Sequence, residues 1–278
     1  MGTLNDLLKK APQSVKDKYE IKIREKAIER VKEIDSFFKD GFVVINVFTA
    51  RDVDLILSEI EKYYFRIGKK HKVSISNLKS YHRLPISQDT HNLMMHPDTR
   101  QIKLKEKFIK KIQQNKIAKS ITKIIYSQKK TGIFCEHKNY HRRNYVKIQI
   151  QRPLDKTTGV HAELSGYTKY APITIWCPLI GFDSRYTLRI APGSHLKTHQ
   201  TSPSKKVQGQ YRIPFINNNY LKKFKFIRPK LKKGQVIMFH SNLLHGGSTC
   251  FGKSTRVSIN PRIFINEAFF NKKNKILS

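Results

Sequence analysis

The rhythm of apolar and polar positions changes near residue 130. Before that point the spacing is helical. Ile21, Ile23, Ala27, Ile28, Val31 and Ile34 form an imperfect apolar stripe. It predicts a helix over 14–39, with Ser14 placed to cap it. Lys39-Asp40-Gly41 breaks that helix, and Phe42–Ile45 reads as a short buried strand. Thr49 and Asp52 form a capping box with Asp at the usual Glu position. Val53, Ile56, Leu57 and Ile60 then fall at i, i+3, i+4 and i+7, which predicts an amphipathic helix over 50–65. Residues 67–100 are polar and irregular and read as a loop able to act as a lid. Helical spacing returns over 101–128.

Beyond residue 131, short runs suited to strands recur between turn residues. They are Gly132–Glu136, Tyr145–Gln151, Ile173–Leu179, Tyr186–Ala191, Val236–His240 and Arg256–Ile265. A helical half therefore leads into an all-β half. Residues 198–233 form a long polar insertion with apolar pieces at 211–216 and 224–227. A loop or strand pair over the mouth of a barrel is expected there. No internal repeat is present.

Composition narrows the classes. A chain of 278 residues makes one large domain or two small ones. No apolar run approaches the ~18 residues that span a bilayer, so no membrane span is expected. Cys135, Cys177 and Cys250 are too few and too scattered for a disulfide framework or a zinc cluster, which points to a cytoplasmic setting. Lys plus Arg number 55 against 20 acidic residues, a net charge of +35. Nucleic acid, an anionic membrane surface and an acidic small substrate are the physical options. The excess is 40 Lys against 15 Arg, spread along the chain in doublets, with no aromatic-interleaved RNA-binding signature. A codon-driven drift towards Lys, Ile and Asn gives the same composition with no partner at all.

The chemistry lies in the β half. His161-Ala162-Glu163 places an imidazole and a carboxylate at i and i+2, on one face of an extended strand. His245 follows a strand candidate and precedes Gly246-Gly247, where the backbone can turn. Two His and one carboxylate make the facial triad that leaves open positions on non-haem Fe(II). Arg256 lies in the next β run. An arginine aimed inward from a barrel strand needs an anion, and a dicarboxylate supplies one.

The ordered set resembles the phytanoyl-CoA hydroxylase-like family of Fe(II)/2-oxoglutarate-dependent dioxygenases. The resemblance covers about residues 40–265. It runs from Asp40-Gly41-Phe42-Val43-Val44-Ile45 through His161-Ala162-Glu163 and Ile173-Thr174-Ile175-Trp176-Cys177-Pro178-Leu179. It continues with Ala191-Pro192-Gly193-Ser194-His195, Gly234–His240, Leu244-His245-Gly246-Gly247 and Arg256. It implies a mainly β fold with α, a double-stranded β-helix or jelly-roll core with N-terminal helices packed on one sheet. It implies His161, Glu163 and His245 as iron ligands and Arg256 as the clamp on the distal carboxylate of 2-oxoglutarate. Trp176 matches a position lining the 2-oxoglutarate pocket. A polar residue on the preceding strand contributes in the family. Lys147 and Gln149 share one face there, and Gln149 is favoured.

Two departures matter. The carboxylate ligand is usually Asp, and here it is Glu163. A halogenating relative carries a small residue at this position, so Glu163 favours hydroxylation or another oxidation. The segment before Pro192-Gly193-Ser194-His195 commonly carries Asn-Gly. Here it reads Asp183-Ser184-Arg185-Tyr186-Thr187, so substrate identity does not carry over.

The resemblance implies an enzyme using Fe(II), 2-oxoglutarate and O2 to hydroxylate a small molecule, releasing succinate and CO2. Basic loops motivate an anionic or polyhydroxylated substrate. The alternatives are a hydroxylase of a protein or nucleic acid, and an inactive nucleic-acid-binding barrel. Residues 1–39 are expected as a helical extension, 40–268 as the dioxygenase domain with covering segments near 67–100 and 198–233, and 269–278 as a basic tail. His195 and His240 read as turn and packing residues.

Overall fold

The computed structural model describes residues 30–265 apart from 97–98, 127–130, 138–139, 154, 156–158, 164–172, 183–186, 200, 203–214 and 247–252. Helix α1 is described over 30–40, and its expected start at Ser14 lies outside the described residues. Phe37 on this helix is buried in the main core. Strand β1 (Phe42–Asn46) follows, then helix α2 (Ala50–Lys70). The capping box of α2 is complete. Asp52 N donates to Thr49 Oγ1 at 3.1 Å, and Thr49 N donates to Asp52 Oδ2 at 2.8 Å. Beyond the predicted stripe, Tyr64, Ile67 and Gly68 are also buried, so the helix runs past 65 to Lys70.

The 67–100 segment differs from the expected irregular loop. It holds a 3-10 turn at Tyr81–Arg83 and helix α3 (Gln88–Met94), capped by Ser87. Its anchors are partly polar, which hid it from an apolar-stripe search. Tyr81 Oη and buried His91 Nδ1 share a hydrogen bond of 2.9 Å, and His91 Nε2 lies 3.4 Å from Asp155. The 101–128 region starts with strand β2 (Gln101–Lys103) before helices α4 (Glu106–Gln114) and α5 (Lys116–Tyr126).

The β half supplies strands β3 (Thr131–His137), β4 (Tyr140–Arg143), β5 (Tyr145–Gln151), β6 (Ile173–Ile180), β7 (Arg189–Ile190), β8 (Thr201–Ser202) and β9 (Phe215–Ile216). After the short helix α6 (Asn218–Leu221) come β10 (Gln235–His240), β11 (His245–Gly246), β12 (Arg256–Asn260) and β13 (Arg262–Ile265). Among the described residues of the predicted 186–191 strand, Arg189 and Ile190 are in a ladder. The predicted Arg256–Ile265 run divides at Pro261, which has no N–H to give a ladder. The 198–233 insertion carries the β8–β9 pair and α6.

The large antiparallel sheet runs β2-β5-β12-β6-β13-β3-β4, with β10 also paired to β6 and β1 paired to β10. Facing it is a small sheet in which β11 pairs with β7, and single bridges add His161 to His245 and Ile227 to Ile190. The two sheets and the helices packed on the larger one make the mainly antiparallel, jelly-roll architecture expected from the sequence.

Strand parity decides what faces the gap between the sheets. Val146, Ile148, Ile150, Ile173, Ile175, Cys177, Leu179, Val236, Met238, Val257 and Ile259 join the core that includes the α2, α4 and α5 side chains. Alternate residues point the other way. Of these, Trp176, Ile237 and Phe239 pack with Leu188 and Ile190 of the small sheet's side. Arg256, Ser258, Gln149 and Gln151 share that inward parity with Trp176, because β12 pairs Arg256 with Gln151 and Ser258 with Gln149.

Candidate metal centre

The small sheet assembles the three residues that sequence spacing singled out. His161 and His245 sit in a two-residue antiparallel bridge. His161 N donates to His245 O at 2.8 Å, and His245 N donates to His161 O at 2.9 Å. Glu163 N donates to Ser241 O at 2.8 Å, which carries the His161–Glu163 segment along the turn leading into β11. Gly246 allows the close approach. A Cβ there would lie 2.8 Å from Gly159 O and 2.9 Å from Val160 Cα. One ligand atom from each of His161, Glu163 and His245 lies within 4.8 Å of the others.

The imidazoles are oriented by their backbone partners. His161 Nδ1 is 2.8 Å from Gly159 O, and His245 Nδ1 is 2.8 Å from Leu243 O. A carbonyl can only accept, so Nδ1–H is the donor in both rings. Each Nε2 lone pair is thereby left to the cluster, the tautomer a metal-binding histidine requires. The rings lie 4.4 Å apart between centroids, and Phe239 packs 4.6 Å from His245.

The electrostatics favour cation binding. Burial pushes the His245 imidazole down to about 3, helped by the neighbouring His161. Burial also pushes His161 down, against the pull of Glu163 and the Gly159 hydrogen bond. Burial alone raises the Glu163 carboxyl, but Arg262 first, then His161, His245 and Lys147, hold it down at about 2. The trio therefore presents two neutral imidazoles and one carboxylate at neutral pH. That donor set fits a first-row divalent ion such as iron.

Arg262 is the member that sequence reasoning missed. Its Nη2 lies 2.5 Å from Glu163 Oε1, with both side chains mostly buried. Arg262 keeps the inward parity of Arg256 and Ser258, since Val257, Ile259 and Ile263 all join the opposite core, but nothing in the sequence shows that Glu163 lies beside it.

The large sheet carries Arg256, Trp176 and Gln149. Arg256 is 3% exposed, and its Cζ lies 5.7 Å from the centroid of the buried Trp176 ring. Gln149 faces Ser258, the ladder position two beyond the Arg256–Gln151 pair. Trp176 Nε1, Ser258 Oγ and Gln151 Oε1 are buried with no hydrogen-bond partner among the described residues. A buried cation beside orphaned polar atoms fits an oxygen-rich dicarboxylate, since leaving such atoms unmet is costly. Lys147 shares the inward row, opposite Asn260, and acts electrostatically on Glu163 and His161.

His195 and His240 make hydrogen bonds within the fold. His195 Nε2 bonds Phe38 O at 3.0 Å, tying the 194–196 turn to α1. His240 Nδ1 accepts from Asn242 N at 3.1 Å within the turn before β11. Cys177 is a buried thiol pushed upward by burial, in keeping with an inert core residue. Among the described residues no helix is long and apolar enough to cross a membrane.

Comparison with known proteins agrees with this architecture. A family model described as phytanoyl-CoA dioxygenase (PhyH) matches residues 37–258. No curated protein matches the chain. Among solved structures, the epimerase SnoN, in complex with Fe3+, alpha ketoglutarate and nogalamycin RO, is 14% identical. That match covers 91% of this chain and 94% of SnoN, with a TM-score of 0.50. AviO1 from Streptomyces viridochromogenes Tue57 is 11% identical over 85% of this chain and 95% of its own, also at 0.50. At these identities the likeness is one of fold.

Proposed function

We propose an oxidative function from one premise: the chain belongs to the phytanoyl-CoA dioxygenase family. Enzymes of this family use Fe(II), 2-oxoglutarate and O2, and the chain is a non-haem iron oxygenase of that type. In our reading His161, Glu163 and His245 hold the iron, and Arg256, Trp176 and Gln149 hold 2-oxoglutarate. Iron held there would let O2 serve as the oxidant: one oxygen atom would enter succinate as 2-oxoglutarate loses CO2, and the other would become the substrate hydroxyl in place of a C–H bond.

One observation carries this reading. Three ligand atoms converge within 4.8 Å while both imidazoles spend Nδ1 on backbone carbonyls. The chain's own work is positional. The Gly159 and Leu243 carbonyls fix the rings. Arg256 offers its fork to the distal carboxylate, and Trp176 Nε1 is a donor without a partner among the described residues. The apolar group of Trp176, Leu188, Ile190, Ile237, Phe239 and Leu243 keeps water from the gap.

The substrate in this reading is a small, anionic or polyhydroxylated molecule. The net charge of +35 and the inward Lys147 support that choice. Neutral analogues turning over as fast as anionic ones at low salt would remove it.

The test of the class is anaerobic titration with Fe(II) and 2-oxoglutarate. A weak visible charge-transfer band is expected in the wild type and absent in His161→Ala and Arg256→Ala. A folded wild-type protein that gives no band with iron and 2-oxoglutarate overturns the reading.

A further inference from the structure

We propose that Arg262 is a positioning residue for the carboxylate ligand, fixing Glu163 so that one of its oxygens is held by protein and the other is offered to the metal. This rests on the iron-binding reading above and adds a residue to it.

The argument starts from the Glu163 side chain. Glutamate has one more rotatable bond than the aspartate usual at this position. Its carboxylate can swing further and loses more freedom when held. A ligand that swings weakens the site, and a carboxylate that turns both oxygens to the metal closes a position needed for another ligand. Something must therefore hold the longer arm. Arg262 Nη2 meets Glu163 Oε1 at 2.5 Å.

The guanidinium comes from a rigid base. β13 pairs Arg262 with Phe134 of β3 and with Thr174 of β6, so the arginine backbone is held from two sides. Just before it, Pro261 O accepts from Ile175 N at 2.9 Å. Glu163 is tied in turn through its backbone N to Ser241 O. Two fixed backbones and one charge-assisted contact leave the carboxylate little choice of direction. An outer partner that orients a ligand is commonly worth about 10- to 100-fold in metal affinity.

The opposite electrostatic expectation gives the test its sign. A guanidinium beside a divalent cation repels it, so a purely electrostatic Arg262 weakens metal binding, and its removal tightens it. A positioning Arg262 strengthens binding, and its removal loosens it.

The experiment titrates the full-length apoprotein with Co(II) alone and follows the cobalt absorption in the visible. Arg262→Gln is expected to bind about tenfold more weakly with a changed absorption band, the lower end of the outer-partner range. Arg262→Lys keeps the charge but not the fork and is expected to be about threefold weaker. In a Glu163→Asp background the shorter side chain falls out of Arg262's reach. Adding Arg262→Gln there should change the Co(II) affinity less than twofold, a non-additive cycle. A folded Arg262 variant that binds as tightly as wild type with the same spectrum, or more tightly, overturns the proposal. Wild-type protein that binds no Co(II) overturns the iron reading together with it, so the two failures are told apart.

Discussion

His161 and His245 hold each other by the backbone and face each other by the side chain. Their amides and carbonyls exchange hydrogen bonds of 2.8 and 2.9 Å, and their rings stand 4.4 Å apart. Residues 84 positions apart in sequence thus form one rigid unit, and the metal site inherits that rigidity. Glu163 joins it through a backbone bond to Ser241 rather than through a strand ladder.

Removing either imidazole therefore leaves a two-ligand site. His161→Ala and His245→Ala are each expected to weaken Co(II) binding by more than about 100-fold, beyond the cost of losing an outer partner. The wild-type protein should gain about 2.7 kcal/mol of stability at a Co(II) concentration 100 times its Kd. Thermal melting with and without Co(II) checks this. Both variants should show no metal-dependent rise in Tm.

In the proposed 2-oxoglutarate site, Arg256 and Trp176 should make separable contributions. Arg256→Ala removes a buried cation and is expected to reduce 2-oxoglutarate affinity at least about 30-fold, the low end for truncating a buried charge pair. Trp176→Phe keeps most of the packing and removes only Nε1–H. It should cost about 1 kcal/mol, roughly fivefold in affinity. Isothermal titration with 2-oxoglutarate in the presence of Co(II) reads both. Unchanged Trp176→Phe affinity would assign Trp176 to the core alone.

A glycine on the neighbouring strand end links the fold to the pocket. Gly181 has φ of +66°, and a Cβ there would lie 2.2 Å from Thr255 O and 2.9 Å from Arg256 Cα. Gly181→Ala must therefore shift the start of β12. It is expected to lower Tm by several degrees, about 1–3 kcal/mol for a strained backbone position. It should also weaken 2-oxoglutarate binding while leaving Co(II) affinity within about twofold, since the ligands sit on the other sheet.

What the sequence made legible follows from spacing. His161, Glu163, His245 and Arg256 stand in local patterns that survive without a structure, and the structure draws the first three together. The α2 stripe was legible because its apolar side chains repeat at helical spacing. α3 was not, because its buried face mixes His91 with Met94 and is held by Tyr81 and Asp155. The 256–265 run read as one strand because composition does not show that Pro261 transfers the chain from pairing with β5 to pairing with β3. Arg262 stands in the same alternation as Arg256 and Ser258, but its role was not legible. Its partner is 99 residues away, and only the sheet order brings them together.

Acid should begin to destabilise the metal-free protein above the pH at which its carboxylates titrate. Burial holds the His245 imidazole down to about 3 and that of His240 to about 4. The unfolded chain has ordinary histidines, near 6.5. Below 6.5 the unfolded state takes up protons that the folded state refuses, so stability falls as pH falls. The loss runs from about 6.5 to between 4 and 3, at no more than about 1.4 kcal/mol per pH unit per histidine. Glu163 adds a second loss in the same direction. Its carboxyl lies at about 2 in the folded protein against 4.5 ordinarily, so its contribution is present above 4.5 and disappears below it. Urea unfolding of apoprotein at pH 7.0, 5.5 and 4.5 should show a falling midpoint with unchanged m-value. His240→Asn should flatten the slope between 6.5 and 4.5 by up to one histidine's share. Co(II) should steepen the acid loss, because the metal binds only deprotonated ligands in the folded chain. A midpoint constant from pH 7.0 to 5.5 in the apoprotein would mean these imidazoles are not held neutral by burial.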